Sequence, residues 1–311
     1  MKAAQITSYG GKDVLKTVTD ASKPEISEGE VLVQVHAAAV NPFDWKVREG
    51  QTQTMAELHF PATLGGDFAG KVVEVGEEVS DIKVDDEVYG QANALGGQGS
   101  FAEFTPVRAT ALARKPKSID FVQAAVLPLT SVSAYQALVE HLNLQAGQKI
   151  LIHGGAGGIG SSAIPLAKHL GAHIATTALA DDADYVKSLG ADKVIDYKSQ
   201  DFTTLLKDYD AVYDTVGGDT YQKSYQVLKP GGIIVSMLEQ PNQALMSQYN
   251  VQAIAQFTRV TRERLEAIAK LVDEGVITAN IDKTFPLDQA AEALEYLHAS
   301  HHRGKVVIKV T

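Results

Sequence analysis

The stretch with the clearest chemical potential is Lys149-Ile150-Leu151-Ile152-His153-Gly154-Gly155-Ala156-Gly157-Gly158-Ile159-Gly160, in which Gly155, Gly157 and Gly160 stand at G-x-G-x-x-G spacing. Glycines permit a tight turn and let backbone N–H groups approach a pyrophosphate. The N-terminus of a following helix then favours the negative charge. Ala156, Gly157, Gly158 and Ile159 are the residues whose N–H groups would line such a cradle. Lys149–Ile152 suits a buried strand and residues 161–170 suit a helix, so the dinucleotide reading has its required context. A glycine-rich loop without a ligand is the alternative.

A second group of residues could meet a substrate. The Asn41 carboxamide can both donate and accept, which suits an amide or a substrate carbonyl, although Asn41-Pro42 could equally be a turn after a strand. Asp44 and Arg48 are four apart and could pair on a short helix, in a catalytic or a purely structural role. Thr177-Ala178, Val216-Gly217 and Ser236-Met237 stand at or just after the ends of three expected strands, where open α/β sheets bind ligands. A site selective for NADH carries an acid about 20 residues after the first glycine. Here that window is Ala175-Thr176-Thr177-Ala178, small and uncharged, which leaves room for a 2′-phosphate. Asp181 and Asp182 come later and are expected to open the next helix, where acids suit its positive end. NADPH is therefore expected over NADH.

Composition narrows the partners. Among 311 residues, 28 basic against 38 acidic give a net charge of −10, which argues against nucleic acid or an anionic membrane as the main partner. No apolar run approaches a membrane span, and the N-terminus turns polar early, so a cytoplasmic protein is expected. The absence of cysteine excludes disulfides, thiolate zinc sites and a cysteine nucleophile. His59 is isolated and His301-His302 are adjacent, so no zinc-like spacing appears and no metal is expected. Neither a G-x-S-x-G elbow nor a G-x-x-x-x-G-K-[ST] loop is present.

The elements that must hold these residues follow from periodicity. Residues 1–125 read as short strands separated by acidic and glycine-rich turns. From Ile119 the period becomes helical, and strand–helix units then alternate as far as residue 259, implying a parallel sheet covered on both faces. The segment 221–228 reads as a helix stopped by Lys229-Pro230-Gly231-Gly232, and residues 233–237 as a strand. Residues 240–249 read as a loop at a substrate entrance. Residues 260–311 form two amphipathic helices and a closing strand. Pro165, inside the helix after the glycine turn, should bend it by displacing the Ser161 carbonyl.

Several stretches together resemble the zinc-independent medium-chain dehydrogenase/reductases, in their quinone oxidoreductase branch. They are Asn41-Pro42-Phe43-Asp44 with Arg48, Pro61 to Gly70, Leu127-Pro128, Ala134 to Leu138, Gly155 to Gly160, Val194 to Tyr197, and Arg303 to Val307. The resemblance implies an α/β protein: a Rossmann doubly wound parallel sheet, residues 126–259, inserted into a mostly β, GroES-like catalytic domain built from residues 1–125 and 260–311. It implies an active site in the cleft between the lobes, with Asn41 beside a nicotinamide. Ser133 stands where the family has a threonine near the carboxamide, although capping of a helix would also explain it. Tyr197 resembles the tyrosine that packs beside the 2′-phosphate, with Lys198 adding charge. His302 and Arg303 fall in the family's closing pattern, although a solvated basic end would look the same. Zinc-dependent relatives place a ligand cysteine near Asn41–Asp44 and a Gly-His-Glu motif at Gly65-Gly66-Asp67. Two departures are Lys46, where many relatives have an uncharged residue, and Asp182, where some carry a phosphate-binding lysine.

The activity implied is metal-free hydride transfer from NADPH to a quinone or an α,β-unsaturated carbonyl, by a homodimer joined through the strand near residues 250–255. A reductase for one specific enoyl or alkenal substrate, and a non-catalytic NADPH-binding sensor, are the alternatives. Retention of Asn41 beside the glycine turn and Tyr197 weighs against the sensor.

Overall fold

The computed structural model describes residues 1–311. The chain forms two compact units, one of Met1–Leu129, Val260–Glu274 and Ala279–Thr311, the other of Thr130–Arg259 and Gly275–Thr278. Residues 126–129, assigned from sequence to the second domain, belong to the first unit. There the Leu129 N–H donates to Asp67 Oδ2 at 3.3 Å.

The first unit is built on a seven-stranded sheet around the strand Glu30–Val40, whose Val31, Val33 and Val35 side chains are buried. That strand pairs antiparallel with Asp67–Val75, Phe104–Arg108 and the closing strand Lys305–Lys309. Val306 lies opposite Val40, so the register brings Lys305 beside Asn41 although they are 264 residues apart in sequence. Asn41 has extended backbone, and Pro42, whose fixed φ suits a first helical position, opens the helix Pro42–Arg48. The edge strand Ile281–Pro286 is absent from the periodicity reading because only Phe285 of its six side chains is buried.

The second unit is a parallel sheet of six strands in the order Lys193–Asp196, His173–Ala178, Lys149–Ile152, Tyr209–Asp214, Leu228–Ser236, Gln252–Ala255. This is the doubly wound order, whose strand order reverses beside the first strand. The helix Gly158–His169 continues through Pro165 as one element. Two expectations need correction. The helix of residues 221–228 ends at Ser224, and Leu228–Ser236 is one strand containing Lys229 to Gly232. A register shift against Tyr209–Ala211 and the left-handed φ of Gly231 absorb the turn-like residues. Residues 243–249 are a helix rather than a loop, because the Asn242 side chain caps it by accepting the Leu245 N–H. No helix is long and apolar enough to cross a membrane.

Candidate active site

In the second unit the glycine turn has different demands at each position. A Cβ on Gly155 would collide with Thr176 Oγ1, and one on Gly160 with the Gly154 carbonyl. On Gly157 the only neighbour would be Gly154 O, at 3.4 Å. Gly155 and Gly160 are therefore glycine for packing, while Gly157 leaves an open backbone face at the helix N-terminus. Ala156, Gly158 and Ile159 flank it, the arrangement that suits a pyrophosphate.

Two buried polar networks hold the surrounding strand ends. His153 has Nε2 2.9 Å from Ser224 Oγ and Nδ1 3.1 Å from Thr177 Oγ1. Ser224 Oγ donates to Thr220 O, so it accepts from His153, which assigns the imidazole proton to Nε2. Thr177 Oγ1 also accepts the Gly154 N–H at 3.2 Å, tying the turn to the second strand. Burial pushes the His153 pKa down to about 3. In the other network, buried Asp214 accepts the Val216 and Gly217 N–H groups, both at 3.0 Å, through Oδ1. Its Oδ2 accepts the Ser236 hydroxyl at 2.7 Å. One carboxylate thus fixes both Val216-Gly217 and Ser236-Met237.

A cavity of about 570 Å³ opens beyond these strand ends, lined by Thr177, Tyr197, Lys198, Val216 and Lys223, among others. Tyr197 is half exposed, and the Lys198 ammonium lies 5.7 Å from its ring centre. Asp201 and Asp219 also line the cavity; Asp182 is buried and does not. Ala178, the last residue of its strand, is buried. Ser133 lies inside the helix Pro128–Tyr135, so it is not a cap, and its hydroxyl meets Thr258 Oγ1 at 2.7 Å. The expectation from sequence of no Tyr-x-x-x-Lys pair of the short-chain reductase kind needs correction: Tyr225 and Lys229 stand at that spacing. Their side chains have other partners, Tyr225 bonding to Tyr221 and Lys229 pairing with Asp210.

In the first unit Asn41 is 3% exposed and sits between opposite charges. Its Oδ1 accepts from Lys305 Nζ, which also donates to Val40 O at 2.7 Å. Its Nδ2 donates to Asp67 Oδ2 at 2.9 Å. The backbone N–H of Asn41 donates to Asp44 Oδ2 at 2.7 Å. Burial drives the Asp44 pKa up to about 7, and it raises that of Asp67; Lys305 opposes both shifts. Burial likewise pulls Lys305 down against the two carboxylates. The expected Asp44–Arg48 pair does not form. Arg48 is 2% exposed and pairs with Glu49 and Glu295, at 2.9 and 2.8 Å. It turns away because Glu295 reaches it from the helix Ala290–Ala299. His302 and Arg303 lie in the loop before the closing strand, where the Arg303 N–H donates to Asp282 at 3.1 Å.

Asp67, Lys305, His153 and Asp214 were not picked out as site residues from sequence. Each stands in or beside a quoted motif, yet spacing gives no sign that it is buried. The structure brings the predicted residues together in two sets, Asn41 with Asp44 in the first unit and the strand-end residues in the second. No three His, Cys, Asp or Glu side chains converge as metal donors. The groups at the zinc-like positions are an amide and a carboxylate tied to an ammonium, and they do not fit a catalytic zinc.

A model of the alcohol dehydrogenase GroES-like domain matches residues 27–117, and one of the zinc-binding dehydrogenases matches residues 189–308. The NADPH-dependent alkenal/one oxidoreductase of Arabidopsis thaliana is 39% identical over 99% of this chain and 79% of its own length. The 2-methylene-furan-3-one reductase of Solanum lycopersicum is 38% identical over the same shares. The solved quinone oxidoreductase of Coxiella burnetii superimposes with a TM-score of 0.92 at 35% identity, covering 100% of this chain and 99% of that one.

Proposed function

This chain belongs to the medium-chain dehydrogenase/reductase family, in its quinone oxidoreductase branch, and on that premise we propose that it is an NADPH-dependent oxidoreductase passing hydride to quinones or α,β-unsaturated carbonyls without a metal. The observation that carries the reading is the surroundings of Asn41, which offer hydrogen bonds and an ammonium but no metal donor set. Such a site orients an acceptor that is already electrophilic, and the dihydronicotinamide supplies the hydride when bound.

In this reading Ala156, Gly157, Gly158 and Ile159 hold the pyrophosphate. Thr177, Ala178 and Tyr197 take the phosphorylated ribose, with Lys198 and Lys223 near its charge. Ser133, Val216, Gly217, Ser236 and Met237 shape the nicotinamide end, and His302 and Arg303 complete the cofactor set. Asn41 meets the ligand; Asp44 and Arg48 hold the helix that follows it. The uncovered edge strand Gln252–Ala255 supports a homodimer, and a sizing column should return twice the 33.3 kDa of one chain. We infer a cytoplasmic enzyme.

NADPH oxidation followed at saturating quinone or enone, with a chelator present, tests the proposal. Turnover with both acceptor types, and kcat/KM higher with NADPH than with NADH, is expected. Tight NADPH binding without turnover on any acceptor would establish a sensor instead.

A further inference from the structure

Lys305 is 4% exposed, and an ammonium taken out of water at that depth needs specific partners. It has two direct ones, the Val40 carbonyl and the Asn41 amide oxygen. On the other side of the same amide, Asn41 Nδ2 donates to buried Asp67. Asp67 is itself held by the Leu129 N–H and by the Gln91 amide at 3.5 Å. An asparagine amide can ordinarily flip, exchanging its oxygen and nitrogen. Here a flip would set NH2 against an ammonium and oxygen against a carboxylate, so only one orientation survives. Hydrogen bonds in a chain also polarise one another. An ammonium on the amide oxygen draws electron density toward it, which makes the remaining Nδ2–H a stronger donor.

We propose that Lys305 is a positioning residue that locks and polarises the Asn41 carboxamide, so that Asn41 meets the acceptor's carbonyl oxygen as a hydrogen-bond donor. The inference rests on the reading of Asn41 given above. Negative charge grows on that oxygen as hydride reaches the conjugated carbon, so a fixed donor there lowers the barrier more than it tightens ground-state binding. Lys305 reaches the acceptor only from behind the amide, through Asn41, whatever else its charge does for the buried carboxylates.

A double-mutant cycle on the whole enzyme, using an enone acceptor, tests the proposal. Asn41→Ala should lower kcat by about 100-fold, and Lys305→Met by about tenfold or more, with little change in NADPH affinity measured by fluorescence. The double variant should be no slower than Asn41→Ala, because without the amide Lys305 has no route to the acceptor. If Lys305→Met does not fold, Lys305→Met combined with Asp67→Asn removes the ammonium and a counter-charge together and replaces it in the cycle. A slow Asn41→Ala beside a lysine variant within twofold of wild type overturns the role of Lys305 alone. Losses that multiply in the double variant overturn it too, by showing a contribution independent of Asn41. Wild-type kcat in Asn41→Ala overturns the reading of Asn41 on which the inference stands.

Discussion

Asp214 shows how much one buried side chain can organise. It accepts two backbone N–H groups and a hydroxyl, and Ser236 Oγ in turn accepts the N–H groups of Leu238 and Glu239. Hydrogen bonds to a charged acceptor contribute roughly 1.5–3 kcal/mol each. Asp214→Ala would orphan all three donors, so NADPH should bind at least about tenfold more weakly in a fluorescence titration, and the melting temperature should fall. Unchanged affinity would mean that the two loops hold their shape without the carboxylate. At this scale the sequence was partly legible. Asn41 stood out because its chemistry and its motif coincide, and Tyr197 likewise. Lys305 and Asp67 did not, since their importance comes from burial across a strand pairing that joins distant parts of the chain. The pairing of Asp44 with Arg48 was misread because helical spacing says nothing of Glu295, which reaches Arg48 from another helix.

At the scale of elements, the turn and its helix could be read almost residue by residue, because glycine spacing encodes close approach directly. The structure adds a distinction among the glycines that spacing cannot make. Gly160→Ala must push against the Gly154 carbonyl, which is backbone and cannot yield cheaply, so it should destabilise the fold by a few kcal/mol. Gly157→Ala meets nothing closer than 3.4 Å and has an ordinary φ of −74°, so it should melt with the wild type. Its methyl would nevertheless stand on the open face of the cradle, and NADPH affinity should drop by about tenfold or more. Thermal melts of both variants, with and without NADPH, separate the effects. A Gly157→Ala protein that binds normally would place the pyrophosphate elsewhere. What escaped the sequence here were elements without a buried periodic face. The strand Ile281–Pro286 is exposed at an edge, and the helix Gln243–Tyr249 has no buried residue.

For the whole molecule, two buried titratable groups predict how stability follows pH, with opposite signs in the two units. Burial holds the His153 pKa near 3 against an ordinary 6.5, so between those values the unfolded chain binds the extra proton. Stability contributed there is present above pH 6.5 and is lost as pH falls toward 3. Asp44 is raised to about 7 from 3.8, so the folded chain holds the extra proton between those values. Its contribution is present below pH 4 and is lost as pH rises through 7. The two slopes oppose one another from about pH 4 to 6.5, and wild-type stability should vary less across that window than either group alone dictates. Each variant then unmasks the other group. His153→Gln should remove the acid-side loss, leaving a protein whose stability falls as pH rises from 4 to 7. Asp44→Asn should leave one that weakens more than the wild type below pH 6.5, with only the raised Asp67 carboxyl still opposing the His153 loss. Calorimetric scans at half-unit pH intervals would read both slopes, each expected to amount to a few kcal/mol across its window. If the two variants shared one slope, the buried imidazole would have to be charged, contrary to a network in which its second nitrogen accepts from Thr177.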